Sequence, residues 1–259
     1  MKVVRFRDAT SDEARYGVLD GDTGHAAAGD LFAGLTAGEV VGPIDNVRLL
    51  PPVLPGKIVC VGLNYAAHVT ENDATRTIPD EPVLFMKPPS ALIGSGATIR
   101  IANLANRTDY EAELAIVIGK EARGVSEADA ASYVLGYTAG NDVSDRVLQK
   151  KDGQWVRAKG FDTYCPLGPC LVTDLGVGKL KVESRLNGEV RQSQTTASMI
   201  FSPHFLVAFI SGVMTLNPGD VIMTGTPEGV GPMRPGDTVE VEVEGGGVLR
   251  NPVASRDGV

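Results

Sequence analysis

Two glutamates, Glu111 and Glu113, enter an otherwise apolar and β-branched run that extends from Asp109 to Lys120. The run reads as a mostly buried strand. On a strand, residues i and i+2 face the same way, about 7 Å apart. Two carboxylates on one buried face repel each other and lose hydration, an arrangement that usually needs a cation. Asp142, in the polar stretch Gly140-Asn141-Asp142-Val143-Ser144, offers a third carboxylate. Neither histidine nor cysteine stands at a helpful spacing. An all-oxygen set suits a hard cation such as Mg²⁺ or Mn²⁺, and zinc much less. Three protein ligands would leave positions open for water and a chelating substrate. On spacing alone the bland alternative stays open, a solvated strand entrance that binds nothing.

The chain has three histidines. His204 opens an apolar helix and reads as packed or capping, and His25 reads as exposed. His68 has an acidic neighbour at helical spacing, Glu71, which could orient the ring and raise its basicity as a general base requires. A plain surface i,i+3 pair explains the same spacing. Lys159, among aromatic and small residues in the 155–164 segment, could place a positive charge beside a developing oxyanion. The glycine-rich stretch Thr224-Gly225-Thr226-Pro227-Glu228-Gly229-Val230-Gly231 lacks the Gly-Lys-Ser/Thr of a phosphate-binding loop and no helix follows it, so nucleotide binding is rejected. A tight loop offering backbone amides and the Thr226 hydroxyl to a carboxylate fits better.

The elements that must hold these groups are short. At 259 residues the chain can bury a substantial core in one large domain or two unequal ones. Lys2–Phe6 and Tyr16–Leu19, with a turn at Asp20-Gly21-Asp22, begin a small β-rich piece, and the prolines at 51, 52 and 55 mark a boundary after it. Beyond come strands at 57–62 and 83–87, a short helix after Asn64, and a helix from 126 to 134 capped by Ser126. Asn187-Gly188 marks a hairpin. Ser202-Pro203 opens a helix to Val213, expected to bury Phe205, Leu206, Phe209 and Val213. Strands at 220–223 and 238–244 close the chain. Strands outnumber helices without alternating with them, which excludes a doubly wound sheet.

Net charge is −8, with an isoelectric point near 5.0, which argues against nucleic acid or an anionic membrane as partner. Three cysteines, an odd number without a C-x-x-C pair, fit a reduced, cytoplasmic setting. The N-terminus shows no signal core, and no apolar run approaches the ~20 residues of a membrane span.

Val61 to His68, Tyr110 to Leu114, Gly136 to Ser144, Gln154 to Lys159, Pro166 to Pro169, Met199 to Phe201, Pro218 to Asp220 and Gly225 to Gly231 form an ordered set of motifs. In these, from about residue 51 onward, the chain resembles the fumarylacetoacetate hydrolase family. The resemblance implies a mainly β, α+β fold: a rolled mixed β-sheet with a small β-rich N-terminal module at 1–50 and a catalytic domain at 51–259, usually a homodimer. It implies Mg²⁺ or Mn²⁺ on Glu111, Glu113 and Asp142, chelating a small 2-oxo or 2,4-dioxo acid. His68 and Glu71 would form a lid dyad that activates water, Lys159 and Gln149 would stabilise an oxyanion or enolate, and Thr226, Gly225 and Tyr65 would meet the substrate. Two positions depart from the pattern. Residues 145–147 are Asp-Arg-Val where many members have Ala-Arg-Asp, and position 63 is Leu where some hydrolases have Arg. The expected activity is hydrolysis of a C–C bond in an acylpyruvate. Alternatives are isomerisation of 2-hydroxyhepta-2,4-diene-1,7-dioate, decarboxylation of an oxaloacetate-like acid, or a catalytically silent metal-binding scaffold.

Overall fold

The computed structural model describes residues 1–7, 13–71 and 73–256. Strands dominate, and the helices are short. The largest sheet has twelve strands. Its path runs Gly34–Pro43, Thr23–Asp30, Ala14–Asp20, Lys2–Arg7, Cys165–Val172, Val134–Asn141, Ala112–Ile118, Val221–Met223, Ile58–Gly62, Val83–Lys87. Neighbours on this path are antiparallel except where Val221–Met223 meets Ile58–Gly62; off it, Arg48–Leu50 pairs antiparallel with Lys2–Arg7 and Leu92–Ile93 parallel with Cys165–Val172. A five-stranded sheet, Glu189–Thr195, Lys181–Leu186, Thr238–Val243, Val248–Ser255 and Ile99–Ile101, packs against it. A three-stranded ribbon joins Ser144–Asp145, Thr108–Tyr110 and Gly231–Pro232.

The N-terminal strands continue the large sheet, because Lys2 and Val3 pair with Val172 and Leu171. The proline-marked boundary near residue 50 therefore divides the chain but not the sheet. The Gly/Ala-rich stretch after residue 22, weakly patterned in sequence, forms the two strands Thr23–Asp30 and Gly34–Pro43. Its side chains are mostly exposed or half-buried, so backbone pairing rather than an apolar stripe defines them.

Ala112–Ile118 is buried along its whole length. Leu114, Ile116 and Ile118 join the core beneath the five-stranded sheet and the helix Pro203–Val213. Ala115 and Val117 pack on the opposite face with Ile58, Cys60, Leu167 and Met223, as the two-residue side-chain period of a strand requires.

Several local expectations hold. Ser126 and Ser202 cap their helices by accepting from the backbone N–H of Asp129 and Phe205. Asn187 and Gly188 both take positive φ between the paired Leu186 and Glu189. Two expectations fail. The helix Pro203–Val213 buries Pro203, Leu206, Val207, Ile210 and Ser211, while Val213 is 60% exposed. Ser211 belongs to the buried face because its hydroxyl donates to Ala208 O and accepts from Val125 N. The rings of Phe201, Phe205 and Phe209 stack on one another instead, with centroids 5.5 and 6.1 Å apart. The expected continuous strand from Asp109 is broken at Glu111, which lies between Thr108–Tyr110 in the ribbon and Ala112–Ile118 in the large sheet.

Asn64 ties three segments together. Its side-chain amide donates to Phe201 O (3.0 Å) and Thr224 O (2.7 Å), and its Oδ1 accepts from Phe201 N (2.7 Å). The residue is wholly buried, so truncation leaves those backbone groups without water. Asn64→Ala is expected to lower stability by about 2–4 kcal/mol in urea unfolding. A loss within about 0.5 kcal/mol, the range of ordinary surface changes, would remove Asn64 as the tie.

Candidate metal centre and active site

The break at Glu111 is made by backbone and side-chain hydrogen bonds to the neighbouring loop. Glu111 N donates to Asn141 Oδ1 (2.9 Å), and Glu111 O accepts from Asp142 N (2.9 Å). The chain changes sheets there, and Asp142 is brought alongside. Ligand oxygens of Glu111, Glu113 and Asp142 all lie within 4.8 Å of one another, and all three residues are buried.

Three buried carboxylates so close together require counter-charge. Lys159 Nζ supplies part of it, 2.8 Å from Glu111 Oε2 and 2.6 Å from Asp142 Oδ2. Arg146 Nη1 approaches Glu111 Oε1 to 2.6 Å, and its Nε donates to Asp109 (2.8 Å). Burial alone would raise the Glu111 pKa, but Arg146 and Lys159 outweigh it and hold the carboxyl well below its ordinary range. Lys159 itself is pushed up: burial opposes its charge, and Asp142 and Glu111 overcome that.

Glu113 is different. Burial, then Asp142 and Glu111, drive its pKa well above the ordinary value. Its Oε2 accepts from Gly225 N (2.8 Å), and no cation reaches it in a salt bridge among the described residues. Gly225 takes φ +97, and a Cβ there would stand 2.7 Å from Asn64 Cβ, so this close approach requires glycine.

A hard divalent cation fits the trio. Asp142 Oδ1 is buried with no hydrogen-bond donor, since Lys87 Nζ lies 2.7 Å away without hydrogen-bond geometry. Glu113 has no cation in salt-bridge contact among the described residues, and every ligand atom the trio offers is oxygen.

The other predicted residues fall around one cavity of about 370 Å³, lined by the trio with His68, Lys159, Gln149 and Thr226. His68 and Glu71 follow from the short helix Ala66–Thr70. His68 Nδ1 lies 2.9 Å from Glu71 Oε2, and Glu71 Oε1 accepts from Gly229 N (2.7 Å). An ionised carboxylate only accepts, so Nδ1 carries the proton and Nε2 is left able to take one. Gln149 Oε1 accepts from Arg146 Nη1 (3.0 Å). Tyr65 does not line this cavity. It is buried, with its hydroxyl lacking a hydrogen-bond partner, and burial and then Glu113 push its pKa up. Gly225 acts through its N–H on Glu113 rather than as a lining residue.

Sequence reasoning missed Arg146, Lys87, Asp109 and Asn141. Lys87 ends the strand Val83–Lys87 fully buried, donating to the carbonyls of Val143, Lys159 and Tyr164. The available signal was a lysine closing an apolar strand directly before Pro88-Pro89. For Arg146 the signal was its position four residues after Asp142.

Residues 1–52 match the family described as Rv2993c-like, N-terminal, and residues 57–254 that described as Fumarylacetoacetate (FAA) hydrolase C-terminal. The chain belongs to the fumarylacetoacetate hydrolase family. Its fold is shared with 2-hydroxyhepta-2,4-diene-1,7-dioate isomerase from Mycobacterium marinum, at TM-score 0.90 and 42% identity over 100% of both chains. A maleylpyruvate hydrolase from Sphingobium sp. SYK-6, in complex with manganese(II) and pyruvate, aligns at TM-score 0.81 and 29% identity, covering 98% of this chain and 99% of that one. In sequence, the Xenopus laevis protein named oxaloacetate tautomerase fahd2, mitochondrial, is 43% identical over 81% of this chain and 69% of its own length. Among the described residues no helix is long and apolar enough to cross a membrane.

The raised pKa of Glu113 predicts a pH signature. The metal-free fold keeps a proton on Glu113 that the unfolded chain releases near the ordinary 4.5. This contribution to stability is full below that value and is lost as pH rises toward the folded pKa. Glu111, shifted down, is ionised in both states above about pH 5 and adds no slope there. The melting temperature of metal-free protein should therefore fall as pH rises above the ordinary 4.5 toward the raised folded pKa. Glu113→Gln should flatten the fall, and Mn²⁺ should raise the wild-type melting temperature most at the upper end. Equal pH slopes in wild type and Glu113→Gln would exclude Glu113 as the cause.

Proposed function

We propose that this chain is a divalent-metal-dependent hydrolase that cleaves the C3–C4 bond of an acylpyruvate-type 2,4-dioxo acid. The observation that carries the reading is that His68, held by Glu71 at 2.9 Å, lines the same cavity as the buried carboxylate trio and Lys159. Water activation and enolate stabilisation, the two needs of such a hydrolysis, thus meet in one cavity. Manganese and pyruvate in the maleylpyruvate hydrolase support the ligand chemistry.

Mg²⁺ or Mn²⁺ held by Glu111, Glu113 and Asp142 would supply Lewis acidity to the 2-oxo acid. Thr226 donates its hydroxyl hydrogen to the substrate carboxylate. His68 Nε2 removes a proton from water, while Glu71 holds the ring tautomer and offsets the imidazolium charge. The water oxygen bonds to C4, the C3–C4 bond breaks, and its electron pair becomes the pyruvate enolate. The Lys159 ammonium lies beside that charge, with Gln149 on the same wall. The proton taken by His68 returns to C3, giving pyruvate and a carboxylic acid.

A second reading, keto–enol interconversion of oxaloacetate, is favoured by the 43% identity to the Xenopus tautomerase. There His68 would move a proton between C3 and the 2-oxygen, and no carbon–carbon bond would break.

The test is turnover of acetylpyruvate, fumarylpyruvate, oxaloacetate and a 2-hydroxydienedioate with and without Mg²⁺ or Mn²⁺, in wild type, Glu111→Ala and His68→Ala. Hydrolysis predicts metal-dependent pyruvate release from an acylpyruvate, lost in Glu111→Ala. It also predicts a drop of about 10²–10⁴-fold in His68→Ala, the usual contribution of a general base. Accelerated decay of enol-oxaloacetate without pyruvate release from any acylpyruvate would replace hydrolysis by tautomerisation. A fully active His68→Ala hydrolase would sink the role given to the dyad.

A further inference from the structure

Gln192 lies on the strand Glu189–Thr195 of the five-stranded sheet, outside every segment so far tied to chemistry, and is 1% exposed. Three of its four side-chain hydrogen bonds run to the carboxylate strand and the 224–231 loop. Its Oε1 accepts from Ala112 N (3.0 Å), the residue between the two glutamates, and from Ser184 Oγ (2.9 Å). Its Nε2 donates to Pro227 O (2.7 Å) and to Thr226 Oγ1 (2.8 Å).

These partners fix which end of the amide is which. A backbone N–H can only donate and a carbonyl can only accept, so oxygen must face Ala112 and nitrogen must face Pro227. The flipped amide would set donor against donor and acceptor against acceptor in a buried place. With nitrogen facing it, Thr226 Oγ1 is obliged to accept. A hydroxyl has one hydrogen to give, and Thr226 lines the cavity with no protein acceptor for that hydrogen among the described residues.

We infer that Gln192 is a positioning residue that makes Thr226 a hydrogen-bond donor into the cavity, setting this end of the site for the carboxylate of a 2-oxo acid. The inference rests on the proposed 2-oxo acid chemistry. Because the same amide holds Ala112 N, Gln192 also spans from the carboxylate strand to the loop 224–231, linking the metal end of the site to the anion end. The hydroxyl oxygen keeps one lone pair, so the preference for a carboxylate rests on the hydrogen that Gln192 leaves free to face the cavity.

Glutamate is the informative replacement, being of nearly equal size. In Gln192→Glu the carboxylate keeps the bond to Ala112 N, loses the one to Pro227 O and when ionised can only accept from Thr226, turning the hydroxyl hydrogen away from the cavity. The experiment measures Mn²⁺ binding by electron paramagnetic resonance, and then pyruvate and oxalate binding to the Mn²⁺-loaded protein. The proteins compared are wild type, Gln192→Glu, Thr226→Val, the double variant, and Thr226→Ser with and without Gln192→Glu.

In Gln192→Glu, pyruvate and oxalate should bind about ten- to a hundredfold more weakly, the size of one hydrogen bond to a charged group, with Mn²⁺ affinity within about threefold of wild type. In the Thr226→Val background Gln192→Glu should have little further effect, whereas Thr226→Ser should restore its full effect. A purely structural Gln192 predicts the same loss in every background, or an equal loss of Mn²⁺ affinity, and either result overturns the inference. If Mn²⁺-loaded wild type binds neither pyruvate nor oxalate, the 2-oxo acid reading fails and this inference fails with it. Binding by wild type with additive effects of the two substitutions overturns the role of Gln192 alone.

Discussion

Three carboxylates held within 4.8 Å of one another in the buried interior are the constraint that the rest of this structure answers. Each would repel the others and forfeit hydration, so the surrounding chain is organised to supply positive charge and N–H donors. Lys159 bridges Glu111 and Asp142, Arg146 reaches Glu111, and Lys87 lies against Asp142. The neutralisation is uneven. Glu113 is left with a backbone amide, and its raised pKa records the shortfall. A cation at this point would pair the one carboxylate of the three that has no salt bridge among the described residues, and the all-oxygen donor set fits a hard metal ion.

The fold meets this constraint by letting the chain change sheets at Glu111. Tyr110 pairs in the small ribbon, Ala112 pairs in the large sheet, and the residue between them is bonded to Asn141 and Asp142. The loop 224–231 closes the other side. Thr224 donates to Leu114 O, Gly225 to Glu113 and Gly229 to Glu71, so one loop touches the carboxylate strand and the His68–Glu71 pair together. Gln192 joins that loop to Ala112 from a second sheet. The site is thus held by backbone amides and buried amide side chains, groups that lose little freedom when a ligand arrives.

The sequence carried the chemistry of the site better than its mounting. Glu111, Glu113 and Asp142 were recognisable because acidic residues inside an apolar run need an explanation, and the His68–Glu71 spacing was short enough to imply contact. Arg146 and Lys87 were passed over because a cation in sequence does not reveal its counter-ion. Their partners are Asp109 and Glu111 for Arg146 and Asp142 for Lys87, and the carbonyls that Lys87 contacts lie up to 77 residues away along the chain. The helix Pro203–Val213 was found with its cap, yet its buried face was misassigned, because three phenylalanines that stack on one another outbid a serine whose bonds are tertiary.

By itself the sequence determined what depends on neighbours a few residues apart. The serine caps at 126 and 202, the Asn187-Gly188 turn, the predominance of strands and the oxygen-only donor set are of this kind. Each follows from backbone geometry or side-chain chemistry acting over one turn or one strand. Only the tertiary structure decided where the carboxylate strand breaks, which cation neutralises which oxygen, and which way the Thr226 hydrogen points. Those outcomes are set by hydrogen bonds between segments 30 to 80 residues apart, such as Asn141 with Glu111 and Gln192 with Ala112. No local pattern encodes such a pairing, because its partner is chosen by how the sheets pack.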